Sequence, residues 1–195
     1  MLHPNVQPPF SDKFSKMDRK EIRAYYRWFI ASIPQGVAEL AGAVKRTTGF
    51  ESWDPDYSVE SLDILGEWYV GQIARRERTK DEIEAIKQSL PYSIDVPEWE
   101  LSDATFSWAV DMGMYFSQVL IKNHPSLQWN LPLGSKRFVH YGQPVLAGFG
   151  QVSFNPVHVA TVFAYGALDK KYTGKRLREL YHIWSGMVAI NERVS

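Results

Sequence analysis

Two segments of the chain carry a glycine inside an otherwise aromatic and apolar helical pattern: LGEWYVGQIARR at residues 65–76 and MGMYFSQVLIKN at residues 112–123. Each reads apolar residue, glycine, one variable residue, two aromatics and a small residue, and each ends polar. Glycine inside a helix costs about 1 kcal/mol relative to alanine. A pattern that repeats this cost constrains the fold, because something must come so close that a Cβ would collide. Gly66, Gly71, Gly113 and Ser117 therefore mark surfaces where a helix backbone meets another helix or a sheet. The alternative is a small-residue floor under a ligand pocket. Two matches of this length do not make a repeat protein.

The remaining segments supply partners for those helices. Pro4, Pro8 and Pro9 hold the start of the chain extended, so residues 1–15 read as an arm. Asp18 with Glu21 is a capping pair, opening a helix with Ile22, Tyr25, Tyr26, Phe29, Ile30 and Ile33 on one stripe. Pro34 is expected to end it. A second helix over 36–47 presents Val37, Leu40, Ala41 and Val44 and stops at Gly49. Ser58 caps a helix reaching about Arg76, and Thr79 with Glu82 opens a short helix that ends before Pro91. PYSIDVPEWEL, residues 91–101, is an extended connector with one short edge strand, and Ser102 or Asp103 opens the helix that holds Gly113.

Beyond Pro125 the period changes. LQWNLPL, RFVHYG and PVLAGFG read as three strands of an antiparallel meander. Asn155 followed by Pro156 opens a helix, against the strand signal of Val157, Val159, Thr161 and Val162. Thr173 caps a last helix with Leu177, Leu180, Tyr181 and Trp184 inward. With apolar residues at 45% and aromatics at 14% of 195 residues, a bulky core is available. The expected fold is α+β and mostly helical, with about six helices around a small three-stranded antiparallel sheet. A single domain is expected over 1–195: the arm, a helical part over 16–101, then a helix, the sheet and C-terminal helices over 102–195.

Chemical motifs are few. With no cysteine, disulfides and thiolate metal sites are ruled out, which fits a reducing compartment, so a cytoplasmic location is expected. No leader pattern and no long apolar run stands out, so no membrane span is expected. His3, His124, His140, His158 and His182 form no pair on one helical turn, and no metal or other cofactor is expected. Gly142, Gly148 and Gly150 lack a phosphate-loop spacing and read as turn glycines, and no serine sits in a nucleophile elbow. His140, Tyr141 and His158 are the one constellation that strand ends could gather into a ligand pocket.

Charge carries more information. The net charge is zero, which argues against nucleic-acid binding. Residues 1–100 nevertheless hold 13 basic and 17 acidic residues, and residues 101–195 hold 9 and 5. No Lys or Arg occurs from Thr47 to Ala74, where Glu51, Asp54, Asp56, Glu60, Asp63 and Glu67 accumulate. On a helix, Glu60, Asp63 and Glu67 share a face. That face is a solvated surface, or lies opposite the basic set Lys170, Lys171, Lys175, Arg176 and Arg178, or is a docking surface for a basic protein with Trp53 as an exposed anchor.

DMGMYFSQVLIKNHPSLQWN, then YGQPVLAGFGQVSFNPVHVA and GKRLRELYHIW, resembles uncharacterised bacterial domain families in which a G-x-Y helix precedes a Trp-bearing strand, a short meander and an Asn-Pro-started element. Some of these resemble toxin-immunity proteins. The resemblance spans about residues 103–186 and implies structural rather than catalytic motifs. The expectation is a non-catalytic bacterial protein-binding protein of immunity or regulatory type, contacting its partner through Trp53, Glu60, Asp63 and Glu67. The rival readings are an enzyme or small-ligand binder at His140, Tyr141 and His158, and a structural subunit of an assembly.

Overall fold

The computed structural model describes residues 13–89 and 95–194. Among the described residues, seven helices and two small antiparallel sheets follow in the order α1 (Lys13–Lys16), α2 (Arg19–Lys45), α3 (Ser61–Gln72), β1 (Arg75–Glu77), α4 (Lys80–Ser89), β2 (Trp99–Leu101), α5 (Asp103–Asn123), β3 (Gln128–Asn130), β4 (Val145–Phe149), β5 (Val152–Phe154), α6 (Pro156–Leu168) and α7 (Arg176–Val194). This is the helix-dominated α+β class that the hydrophobic periods imply. Residues 1–12, most of the expected arm, and residues 90–94 of the connector lie outside the described residues.

Helix α2 starts at the expected capping box. Asp18 Oδ1 accepts hydrogen bonds from the backbone N–H groups of Lys20 (2.7 Å) and Glu21 (2.8 Å), and Glu21 Oε2 accepts from Asp18 N–H (2.8 Å). The helix then runs 27 residues, straight past Pro34. The expected break fails because the buried stripe of Ile22, Phe29 and Ile33 continues in phase through Gly36, Val37, Leu40 and Val44. Pro34 itself is on the exposed side, where water can satisfy the carbonyl that has lost its intrahelical donor. Packing along the whole stripe offsets the roughly 3 kcal/mol that an interior proline costs.

Helix α3 begins three residues after Ser58, whose Oγ accepts the Ser61 N–H at 3.1 Å, and it is shorter than expected. The residues at its end instead form β1, paired antiparallel with β2 with Arg76 opposite Glu100. Thr105 anchors this exchange, its Oγ1 accepting from Ala74 N–H (2.9 Å) and donating to Ala74 O (3.0 Å). Thr79 and Glu82 form the reciprocal cap of α4, and Ser102 caps α5 by accepting from Thr105 N–H (3.2 Å).

Helix α5 is the axis of the molecule. Every residue from Ala109 to Ser117 is buried, so it is enclosed on all sides, with α2, α3 and α6 against it. The sheet β3–β4–β5 closes one end, with Trp129 opposite Leu146 and Leu146 opposite Phe154. One expected strand is absent: 137–142 is a chain of tight turns, with Phe138 N–H to Ser135 O, Tyr141 N–H to Phe138 O and Gln143 N–H to His140 O at 2.9–3.1 Å. The third strand is β5, reached from β4 through Gly150 at φ 72°. Asn155 caps α6 as expected, its Oδ1 accepting from His158 N–H at 3.0 Å. Before α7, Arg176 N–H donates to the Thr173 carbonyl (3.0 Å) rather than to the threonine side chain. Leu177 and Tyr181 are buried, and Trp184 stacks edge-on against Phe149 (5.2 Å) and Phe154 (4.5 Å).

The glycine pattern is explained by close approach. A Cβ on Gly113 would lie 2.8 Å from Val157 N and 2.9 Å from the Pro156 carbonyl carbon, both backbone atoms of α6. A Cβ on Gly66 would overlap the Gly174 carbonyl at the entry to α7. Gly71 differs, for a Cβ there would meet nothing within 4 Å. Chemical denaturation should therefore show Gly113→Ala and Gly66→Ala each losing about 2 kcal/mol or more through overpacking, while Gly71→Ala gains about 0.5–1 kcal/mol.

Candidate functional site

The acidic stretch is tied down inside the molecule. Arg178, from the first turn of α7, donates through Nη1 to Asp63 Oδ2 at 2.6 Å and through Nη2 to Glu60 Oε1 at 3.2 Å. Lys45 pairs with Asp54 at 2.7 Å. Asp56 is held below the usual carboxylate range by hydrogen bonds from the Ser58 hydroxyl and from Ser58 N–H (2.8 Å), with Lys122 nearby. Glu67 lies on exposed surface beside Gly174. Of the basic set expected to face this stretch, Arg178 reaches it, while Lys171 pairs with Asp169 and Arg176 with Glu179.

Trp53 is the clear correction. Expected to be an exposed anchor, it is 2% accessible, edge-on to Tyr115 at 5.3 Å, with Nε1–H donating to Ser61 O at 3.0 Å. An indole whose N–H finds a backbone acceptor gains more from core burial than from exposure.

The histidine constellation is partly gathered. His140, in the turn-rich segment, and His158, in the first turn of α6, meet with ring centroids 5.6 Å apart. Asn155 organises them: while its Oδ1 caps His158 N–H, its Nδ2 donates to Gln143 Oε1 at 2.7 Å and lies 3.5 Å from His140 Nδ1. Burial pushes both imidazoles below their usual pKa, and His158 lowers that of His140 further. The pair is thus neutral at pH 7. Tyr141 does not join it; the ring is buried with Phe14 and Ile22 on the other side of the segment.

What projects from this segment is apolar. Val139 is 71% exposed and Phe138 40%, directly after the exposed Lys136 and Arg137. The tip is held firmly, because Gln143 Nε2 donates to Val139 O at 3.2 Å and Lys136 Nζ to Ser15 O at 2.7 Å. Sequence reasoning missed this surface because RFVHYG was assigned to a strand, which would have placed alternate side chains inside.

Two further features were also missed. A cleft of about 370 Å³ is lined by Arg78, Pro97, Trp99, Tyr165 and Asp169. Its guanidinium is committed to structure, with Nη1 donating to Pro97 O and Trp99 O at 2.7 Å each. Asp111 is a carboxylate within the buried stretch of α5, 4% accessible, with Oδ1 lacking a hydrogen-bond partner among the described residues. It faces Gly36 of α2, where a Cβ would stand 3.1 Å from Oδ1. Its legible signal was an aspartate amid AVDMGMYF, where every neighbour is apolar or glycine.

Among the described residues no group of three or more His, Asp or Glu is placed to hold a metal ion, and no helix is long and apolar enough to cross a membrane. The sequence matches no family model and no curated protein, and the structure matches no solved structure.

Burial, reinforced by repulsion from Glu39, pushes the Asp111 carboxyl up to about 7. An unfolded aspartate ionises near 3.9, so the folded chain holds the extra proton between about pH 4 and 7 and loses stability as pH rises through that window. The integrated cost above pH 7 is at most about 4 kcal/mol. Asp111→Asn should match wild type in urea denaturation at pH 4 and exceed it by about 2 kcal/mol at pH 8.

Proposed function

We propose that the protein works by binding another protein, in an immunity or regulatory role, and that the contact is the 134–140 segment with the start of α6. The observation that carries this reading is the pair Phe138 and Val139, adjacent, solvent-facing and fixed on a braced turn. Burying one such side chain returns about 1.5–3 kcal/mol, and a rigid apolar tip loses little conformational entropy on docking. Lys136, Arg137 and the half-buried histidines supply a polar rim. A bacterial, cytoplasmic setting belongs to the same proposal, supported by the cysteine-free composition and the family resemblance.

The contact differs from the acidic face expected from sequence. With Trp53 in the core and Arg178 bonded to both Glu60 and Asp63, that face serves to hold α7 against α3.

Tagged wild type and Val139→Asp, captured from cells that express the protein, separate the two surfaces. The partner should be retained by wild type and reduced at least about tenfold by Val139→Asp, the effect of placing a charge in an apolar contact. Glu60→Gln with Asp63→Asn should leave capture unchanged while lowering stability by about 0.5–1 kcal/mol, since the ion pairs are half exposed. Equal capture by wild type and Val139→Asp would remove the 134–140 segment from the reading.

A second reading, small-ligand binding at His140 and His158, is favoured by their 5.6 Å ring spacing. A fragment library screened by imidazole NMR shifts tests it: compounds that move both rings support it, and none doing so ends it.

A further inference from the structure

The exposed side of α2 is basic to a degree that a neutral protein does not require. Arg19, Arg23 and Arg27 recur every four residues with Lys20 beside them, and all four are exposed. None of the four enters an ion pair with another described residue. Asp18 and Glu21 are the only carboxylates between residues 13 and 38, and both are engaged in the capping box. Placement makes the charge harder to attribute to stability. Arg19, Lys20 and Arg23 occupy the first turns of a helix, where the macrodipole disfavours cations, and arginines four apart repel one another.

This stripe adjoins the apolar tip. Lys136 Nζ donates to Ser15 O at 2.7 Å, and Ser15 precedes Arg19 by four residues. Four residues span at most about 14 Å of chain. The tip's own segment adds no opposing charge, for the sequence contains no Asp or Glu between residues 112 and 168.

We propose that the α2 stripe seats an acidic helical segment of the partner protein, whose apolar side chains reach Phe138 and Val139. The inference rests on the protein-binding reading and adds the chemistry of the partner. Arginine forks bind carboxylates in pairs of parallel hydrogen bonds. Residues four apart on a helix advance about 6 Å, so a partner helix with carboxylates at the same spacing matches Arg19, Arg23 and Arg27 along its length. A nucleic acid fits less well. The whole chain is neutral and holds six carboxylates with no cation from Thr47 to Ala74, so its long-range field cancels beyond a Debye length of about 8–10 Å.

The test uses the full chain, isotopically labelled, titrated with three probes. These are a helical peptide bearing Glu at every fourth position with Leu between, the same peptide with Gln for Glu, and a single-stranded DNA oligonucleotide. The Glu peptide should shift the guanidinium Nε–H signals of Arg19, Arg23 and Arg27. Its affinity should fall about tenfold from 50 to 300 mM NaCl, and about tenfold in the R19Q/R23Q/R27Q variant. That variant should melt at or above wild type, so lost binding cannot be traced to unfolding. Equal binding of the Gln peptide, tighter binding of the oligonucleotide on the same stripe, or no shift at the arginines would overturn the inference. Shifts confined to Phe138 and Val139 would overturn it while leaving the protein-binding reading in place. Arginine shifts that Val139→Asp leaves unaltered would support the stripe and count against the tip.

Discussion

The contact between Gly113 and the backbone at Pro156 and Val157 is the point on which the architecture turns. Because no side chain intervenes, α6 approaches α5 at backbone distance, and the first turn of α6 is held against the middle of the central helix. That position brings Asn155 to the place where it serves three groups at once, capping α6, binding Gln143 and facing His140. The turn-rich segment is thereby fixed to the core from one side while Tyr141 fixes it from the other, among Phe14 and Ile22. A rigid exposed tip is the product of two buried anchors, and the Asn155 anchor traces back to the missing Cβ.

The molecule treats its charges in two ways. Asp54, Glu60 and Asp63 are matched internally by Lys45 and Arg178, whereas the arginines of α2 are left without described partners. Net charge conceals this. A chain that sums to zero holds one acidic side, partly matched by internal ion pairs, and one basic helix whose arginines have no described partner. Ion pairs as exposed as Glu60–Arg178 add little stability individually, so their chief effect is on register and on which surface remains charged.

Local rules were legible where the deciding contact is local. Three capping motifs, at Asp18, Thr79 and Ser102, and the Asn155–Pro156 start all sit where short-range hydrogen bonding places them. Pro34 misled because breaking a helix is a local tendency, while the stripe that continues past it answers to α5. RFVHYG misled in a similar way. Its aromatic and β-branched content matches a strand, but Phe138 and Val139 stay exposed while Tyr141 is buried, and the backbone folds into turns. Trp53 was placed by the acidity of its neighbours, although its own N–H acceptor at Ser61 lies eight residues on and could not be read from composition. Of the ligand constellation, the two histidines converge and the tyrosine does not, since adjacent residues in a turn need not share a side.

Arg178 has a consequence beyond the surface it neutralises. Asp63 and Glu60 lie 115 and 118 positions before it, a span that contains every element from β1 to α6. Closing so long a loop is entropically unfavourable until the intervening elements have already condensed. Loop-closure entropy therefore predicts that α7 docks late in folding, and Phe149 and Phe154 have no Trp184 against them before it docks. Release of α7 would uncover Phe149 and Phe154 at the end of the sheet, exposed apolar surface of the kind that promotes self-association.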